Sequence, residues 1–198
     1  MTGIQAEEKF SIGGIKFTEN IALLSITEPI DKADTAPLFF RFLSENEINI
    51  FMLSRVMDDK AVRTDCTVSE DDLDNIYKLI FSNREKSGFS KKPDFLILAK
   101  MRKPEIKERL KVLHGLGAIS VYPHKSRMKL LGKILFAFGN RKIPVYNMTS
   151  SISSFTFLTD CNCLNKAAEA LEENFRLPEN HAPFEKQFCI KHVHKNPR

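Results

Sequence analysis

The sequence of 198 residues has no tryptophan and only four cysteines. Cys161 and Cys163 are separated by one residue, a spacing that suits neither an ordinary disulfide nor a zinc-ligand pair. Cys66 and Cys189 are expected to be small apolar residues of the core. A chain without a disulfide pattern fits a reducing compartment, so we expect the protein to be cytoplasmic.

Long apolar runs and strong charge are also missing. No apolar run approaches the roughly 18 residues needed to cross a bilayer, and no secretory leader opens the sequence. The 30 basic and 25 acidic residues give a net charge of +5, and the basic residues are scattered. We therefore expect no membrane partner and no nucleic-acid partner.

The sequence also lacks a combination of residues that would support catalysis. It contains no glycine-rich phosphate loop. His192 and His194 alternate along one segment, but no third metal ligand accompanies them, and a solvated terminus is the simpler interpretation. Cys163 and His181 would need a third group to orient them as a thiol dyad, and none is evident. We expect no catalytic residue, no metal and no cofactor.

An internal repeat is the most informative feature that is present. Residues 21–54 match residues 116–149 at a constant offset of 95 (116 − 21), which places Leu24 on Ile119. Beyond this stretch the offset drops to 91, and we assign the four missing residues to a tighter second hairpin turn at Ser150–Ser153. Two copies of one unit favour a pseudo-symmetric binding module over a single catalytic centre.

Each copy shows the element order of a ferredoxin-like domain, strand-helix-strand-strand-helix-strand. Apolar runs mark the strands, and apolar residues at helical spacing mark the helices. We predict an α+β fold of two such domains in tandem, with antiparallel sheets and helices on one face. The first domain is assigned to residues 10–102, including an extra N-terminal strand, and the second to residues 115–194, with a connecting helix at 103–114. A turn is expected at Glu19–Asn20, and Glu185–Val193 is expected to supply the last strand.

Both copies place a helix start after their first strand, where unpaired N–H groups can bind the carboxylate of an amino acid. Polar side chains on the following strand could hold the ammonium group. The alternative is that Asp34, Thr35 and Ser126 only cap their helices and that the other polar residues are solvated. The candidate ligand-binding residues are Asp31, Asp34, Thr35 and Asn49 in the first copy, and His124, Lys125, Ser126, Asn147, Thr149 and Ser150 in the second.

Two passages of the sequence resemble a known family. The passage IGGIKFTENIALLSITE…FFRFLSENEINIFMLS…TVSEDDLDNIYKLI resembles the first ACT domain of aspartokinase regulatory regions. The passage AISVYP…GKILFAFGNRKIPVYNMTSSISSFTFLTD…LNKAAEALEENFRL resembles the second ACT domain. The Asp-x-Pro-Gly turn that usually follows the first strand in this family lacks its glycine in both copies.

The resemblance implies a non-catalytic regulatory protein of tandem ACT type that binds an amino acid, lysine or threonine, and lacks a kinase domain. It also implies a homodimer whose state is read by a separate partner enzyme. In the aspartokinase-like arrangement one copy is threaded into the other, so the first strand, FSIGGIKFT, could complete the sheet of the second domain. The alternative is a module without a ligand, an interaction surface or regulatory subunit that acts through dimerisation.

Overall fold

The computed structural model describes residues 9–32, 35–81, 108–123 and 127–179. Within these residues no helix is both long enough and apolar enough to cross a membrane. The elements in chain order are β1 (Phe10–Pro29), α1 (Thr35–Glu45), β2 (Leu53–Met57), β3 (Ala61–Ser69), α2 (Glu70–Phe81), β4 (Leu110–Pro123), α3 (Arg127–Asn140), β5 (Asn147–Ser150), β6 (Phe155–Asp160), α4 (Leu164–Asn174) and β7 (Phe175–Arg176). The fold is mixed α/β with antiparallel strand pairs.

The chain divides into two compact units. The first unit is Asn20–Leu116, and the second combines Met1–Glu19 with Gly117–Arg198. The division runs through the long strands β1 and β4, so that each contributes one half to each unit. The sequence prediction instead grouped the first half of β1 with the first domain.

The first unit has the strand order β2-β3-β1-β4. Strand β3 pairs antiparallel with β1 and with β2, and Cys66 lies opposite both Leu24 and Leu53. Alternate residues of β1 point to one apolar core, where Leu24 meets the buried side chains of Phe39 and Phe42 from α1. The stripe of apolar residues that predicted α1 is therefore its buried face.

The second unit has the strand order β1-β4-β6-β5, and β7 pairs in parallel with the start of β1. Its core holds Ile12 and Ile15 of β1, which explains why this half strand belongs here. Phe138 of α3 and Phe157 of β6 are buried, with ring centroids 5.3 Å apart in an edge-to-face arrangement. Such pairs contribute roughly 0.5–1.5 kcal/mol beyond the burial of their area.

Strand register confirms the repeat and changes the interpretation of its shorter hairpin. Leu53 pairs with Cys66 in the first unit, and Met148 pairs with Phe157 at the equivalent position of the second. Both hairpins close with the same four-residue turn, from Asp58 N to Ala61 O at 3.0 Å and from Ser151 N to Ser154 O at 2.9 Å. The tighter turn predicted at Ser150–Ser153 is thus wrong. The second hairpin instead lacks two pairs of strand residues, the counterparts of Val56, Met57, Val62 and Arg63.

Helices α1 and α3 end in the same way. Ile48 N donates to Leu43 O and Ile143 N donates to Phe138 O, each at 3.0 Å. A residue with positive φ precedes each donor, Glu47 at 57° and Lys142 at 52°. These bonds and dihedrals are those of a Schellman motif, in which glycine is the usual left-handed residue.

Two local predictions differ from the structure. The connecting helix predicted at residues 103–114 is wrong for Leu110–His114, which belong to β4. Leu110 is buried and Lys111 exposed, an alternation that suits a strand. The turn predicted at Glu19–Asn20 does not interrupt β1, which continues through these residues. Asn20 adopts a left-handed conformation there, with φ at 62°. The last strand predicted at Glu185–Val193 lies outside the described residues.

Candidate ligand-binding site

The first turn of α1 holds a buried carboxylate from the protein itself. Glu28, the last residue but one of β1, is fully buried. Its Oε1 accepts a hydrogen bond from Thr35 N at 2.6 Å, and its Oε2 accepts one from Ala36 N at 3.3 Å. Burial disfavours a carboxylate unless it is hydrogen-bonded, and the positive end of the helix dipole adds to the stabilisation.

Among the described candidates of the first copy, Thr35 is the one that belongs to this helix start. It is buried, and its backbone N–H is already bonded to Glu28. Asp31, on the short 3-10 turn Ile30–Lys32, and Asn49, between α1 and β2, are exposed. The helix start is therefore buried while two of the candidates are exposed, and Asp34 lies outside the described residues.

In the second copy Asn147 and Thr149 lie on one face of β5, since residues two apart in a strand share a face. Both are half-buried, whereas Ser150 is exposed and points to the opposite face. Thr149 pairs with Thr156 on β6, whose Oγ1 lies 2.8 Å from Ser120 Oγ on β4. The result is a row of neutral hydroxyl and amide groups. His124, Lys125 and Ser126 lie outside the described residues.

The equivalent row of the first unit carries charge. Asp65 on β3 is buried, and its Oδ1 accepts hydrogen bonds from Ser25 Oγ at 2.5 Å and Arg63 Nε at 2.9 Å. Ser25 and Ser120 are equivalent at the offset of 95, and Asp65 and Thr156 at the offset of 91. Sequence reasoning did not single out Asp65 or Glu28, although aligning the copies shows that each acid has an uncharged counterpart.

Cys66 is the buried thiol among the described cysteines. Burial, and next the negative charge of Asp65, raise the pKa of the Cys66 thiol to about 12, so it is protonated at neutral pH. This agrees with its expected role as a small core residue, since it packs in the first apolar core. Among the described residues no group of three or more His, Cys, Asp or Glu side chains could hold a metal ion.

Comparison of the sequence found no matching family model and no matching curated protein. Solved structures do match. The regulatory subunit of aspartate kinase from Thermus thermophilus, in a ligand-free form, is 12% identical with a TM-score of 0.60, and the match covers 84% of this chain and 99% of that one. The regulatory subunit from Thermus flavus is 13% identical with a TM-score of 0.62, again over 84% and 99%.

An aspartokinase matches over a smaller share of its length. Aspartokinase III of E. coli, in a complex with lysine and aspartate, is 12% identical with a TM-score of 0.50, and the match covers 87% of this chain and 35% of that one. The two Thermus matches extend over nearly the whole of proteins that are themselves regulatory subunits. The fold of this chain is therefore that of aspartate kinase regulatory subunits.

Proposed function

We propose that this protein is a non-catalytic, amino-acid-binding regulatory protein of tandem ACT type, related to the regulatory regions of aspartokinase. The observation that carries the proposal is the match in fold to an isolated regulatory subunit over 84% of this chain and 99% of that one. A separate partner enzyme would respond to the bound state. A place in the cytoplasm is part of the proposal, because the spacing of the four cysteines gives no disulfide pattern.

The strand orders support two ferredoxin-like domains. The first unit places its strands as β2-β3-β1-β4, and the second places the corresponding strands as β5-β6-β4-β1. Both sequences of neighbours follow the order of a βαββαβ unit whose first and third strands are central. In the second unit the fourth strand is the first half of β1, which is the threading that the aspartokinase resemblance implies.

The proposed ligand is an amino acid, with lysine and then threonine as the first compounds to test. The matching E. coli kinase was solved with lysine, and the family resemblance adds threonine. Helix starts suit the carboxylate, and strand hydroxyl and amide groups suit the ammonium group. The proposed contacts are His124, Lys125, Ser126, Asn147, Thr149 and Ser150 in the second copy. The candidates of the first copy, Asp31, Asp34, Thr35 and Asn49, stay predictions, because Glu28 already binds the Thr35 N–H.

A thermal-shift screen of the twenty amino acids at millimolar concentration tests the proposal. A ligand present at 100 times its Kd stabilises the folded state by about 2.7 kcal/mol. We expect at least one amino acid to raise Tm, and we expect its carboxamide analogue, which lacks the carboxylate, not to do so. Asn147→Ala with Thr149→Val should weaken the effect, while Ser153→Ala at the hairpin turn should leave it unchanged. If no amino acid raises Tm, the sensor proposal is wrong.

A homodimer is part of the proposal, and an exposed apolar strip on α3 supports it. Met128, Gly132, Leu135, Phe136 and Gly139 recur at helical spacing. Met128 is 76% exposed and Phe136 is 70% exposed. A Cβ at either glycine would meet no atom within 4 Å beyond the helix itself, so packing inside the chain does not require glycine there. Contiguous exposed apolar surface usually marks an interaction site.

The same strip favours the alternative function, an interaction module that acts without a ligand. The sensor and the interaction module can be distinguished by measuring oligomeric state and ligand response on the same variant. Sedimentation of Phe136→Glu should yield monomers, with Lys129→Glu on the same helix as the control. If Phe136→Glu remains dimeric, the strip is not the dimer contact. An intact dimer that no amino acid stabilises would favour the interaction module.

A further inference from the structure

We propose that the Glu28 carboxylate fills the carboxylate-binding start of α1 in the first copy. It thereby excludes any external carboxylate from that helix start. This inference rests on the proposed function, because it states which copy can bind the carboxylate of the ligand. The contact itself is independent of that function.

The geometry is that of a bound carboxylate. Each oxygen of Glu28 accepts a hydrogen bond from a different backbone N–H in the first turn of α1, one at 2.6 Å and the other at 3.3 Å. The third residue of the helix is Pro37, which has no N–H to offer. Glu28 therefore uses both donors that the first three residues of this helix provide.

Burial and charge show that the contact is more than an ordinary surface cap. Glu28 is fully buried, and Thr35 and Ala36, its two donors, are buried as well. Among the described residues its hydrogen-bond partners are these two N–H groups and no cationic side chain. A buried carboxylate normally needs a paired charge or strong hydrogen bonds. Here the two N–H groups and the helix dipole fill that role.

The repeat gives Glu28 no acidic counterpart in the second copy. The equivalent of Glu28 at the offset of 95 is Pro123, the last residue of β4, which has no carboxylate to place at the start of α3. The offset is established by matching strand pairs and by matching helix ends in the two units. An amino acid that needs a helix start for its carboxylate would therefore be restricted to the second copy.

Chemical rescue of Glu28→Ala tests the inference with acetate as the probe. The substitution should lower Tm by roughly 5–10 °C, since two buried N–H groups lose their acceptors. Sodium acetate should restore part of that loss with a midpoint on the order of 10 mM. Sodium chloride at equal ionic strength should not. Wild-type protein and Glu45→Ala, at the other end of α1, should show no acetate-specific shift.

The isosteric variant Glu28→Gln keeps the inference testable if Glu28→Ala does not fold. The amide fills the same space but brings an NH₂ group toward the two N–H donors, so Tm should fall and acetate should not restore it. The inference is overturned if Glu28→Gln is as stable as wild type, or if acetate stabilises Glu28→Ala no more than it stabilises wild type. Neither readout requires an amino acid to bind the wild-type protein. Failure here is thus distinct from failure of the proposed function.

Discussion

The two units repeat their scaffold but not their polar contacts. Both end a helix with the same Schellman bonds, and both close a hairpin with the same turn. The two buried acids of the first unit have no charged equivalent in the second, where Pro123 replaces Glu28 and Thr156 replaces Asp65. The shared pattern therefore encodes the core and the chain reversals, whereas the groups that could meet a ligand have diverged.

Both buried acids of the first unit find their hydrogen-bond partners within that unit. Helix N–H groups hold Glu28, and Ser25 and Arg63 hold Asp65. On the equivalent row of the second unit, the hydroxyl groups of Ser120 and Thr156 are neutral. A hydroxyl group can either donate or accept a hydrogen bond. In the proposed account the first copy is mainly structural, and the second retains the capacity to bind.

The largest expected effect concerns the core that the copies share. Leu43 and Phe138 occupy equivalent places at the ends of α1 and α3, and both are buried. Leu43→Ala should lower the free energy of unfolding by about 2–5 kcal/mol, and Phe138→Ala by about 3–5 kcal/mol. Urea denaturation measures both. Met57→Ala, at a side chain 70% exposed, should change it by less than about 0.5 kcal/mol. A small loss at only one core position would break the equivalence.

The charged row of the first unit can be converted to the neutral row of the second. Arg63→Met should cost about 1–2 kcal/mol, less than for a fully buried pair, because the Arg63 side chain is 53% exposed. Adding Asp65→Thr should recover much of that loss, since Ser25 would then face a hydroxyl as Ser120 does. A double-mutant cycle in urea measures the coupling. Arg41→Met, in an exposed pair with Glu45, is the control, and additive losses would refute the equivalence of the two rows.

The Schellman ends offer a stabilising test in both copies. Glu47 and Lys142 hold positive φ, which costs about 1–2 kcal/mol for a residue with a Cβ. Glu47→Gly and Lys142→Gly should each raise stability by roughly 0.5–1 kcal/mol after the extra chain entropy of glycine is subtracted. Thermal unfolding provides the readout. Ser44→Gly, inside α1, should instead be destabilising, and a loss at either left-handed position would contradict the assignment.

The smallest expected effect lies in the hairpin turns. Hydrogen bonds from the backbone N–H groups of Lys60 and Ala61 lower the pKa of Asp58 below its usual value. A lowered pKa stabilises the fold above the ordinary pKa of the carboxyl group, near pH 4, and this contribution fades as pH falls through the lowered value. NMR titration of the Asp58 carboxyl measures the shift. Asp58→Ser, which copies Ser151 of the second turn, should remove this pH dependence.

Periodicity and the repeat predicted most of the described strands and helices and their buried stripes, because these depend on which side chains face inward. They did not predict Glu28. Its carboxylate reaches α1 only because the chain folds back after β1, a contact that spacing along the sequence does not encode. Leu110–His114 was misassigned because its residues also suit a helix, and strand pairing overrides such local preference. The candidate residues of the second copy remain predictions, with Asn147 and Thr149 placed on a shared face.

The most direct test of the account is the number of amino acid molecules bound per chain at saturation. Isothermal titration calorimetry would use the amino acid that raises Tm most in the screen. We expect one molecule per chain, because Glu28 occupies the first helix start, and we expect Glu28→Ala to add a second, weaker site. Two equivalent sites per wild-type chain would contradict the self-occupied first copy.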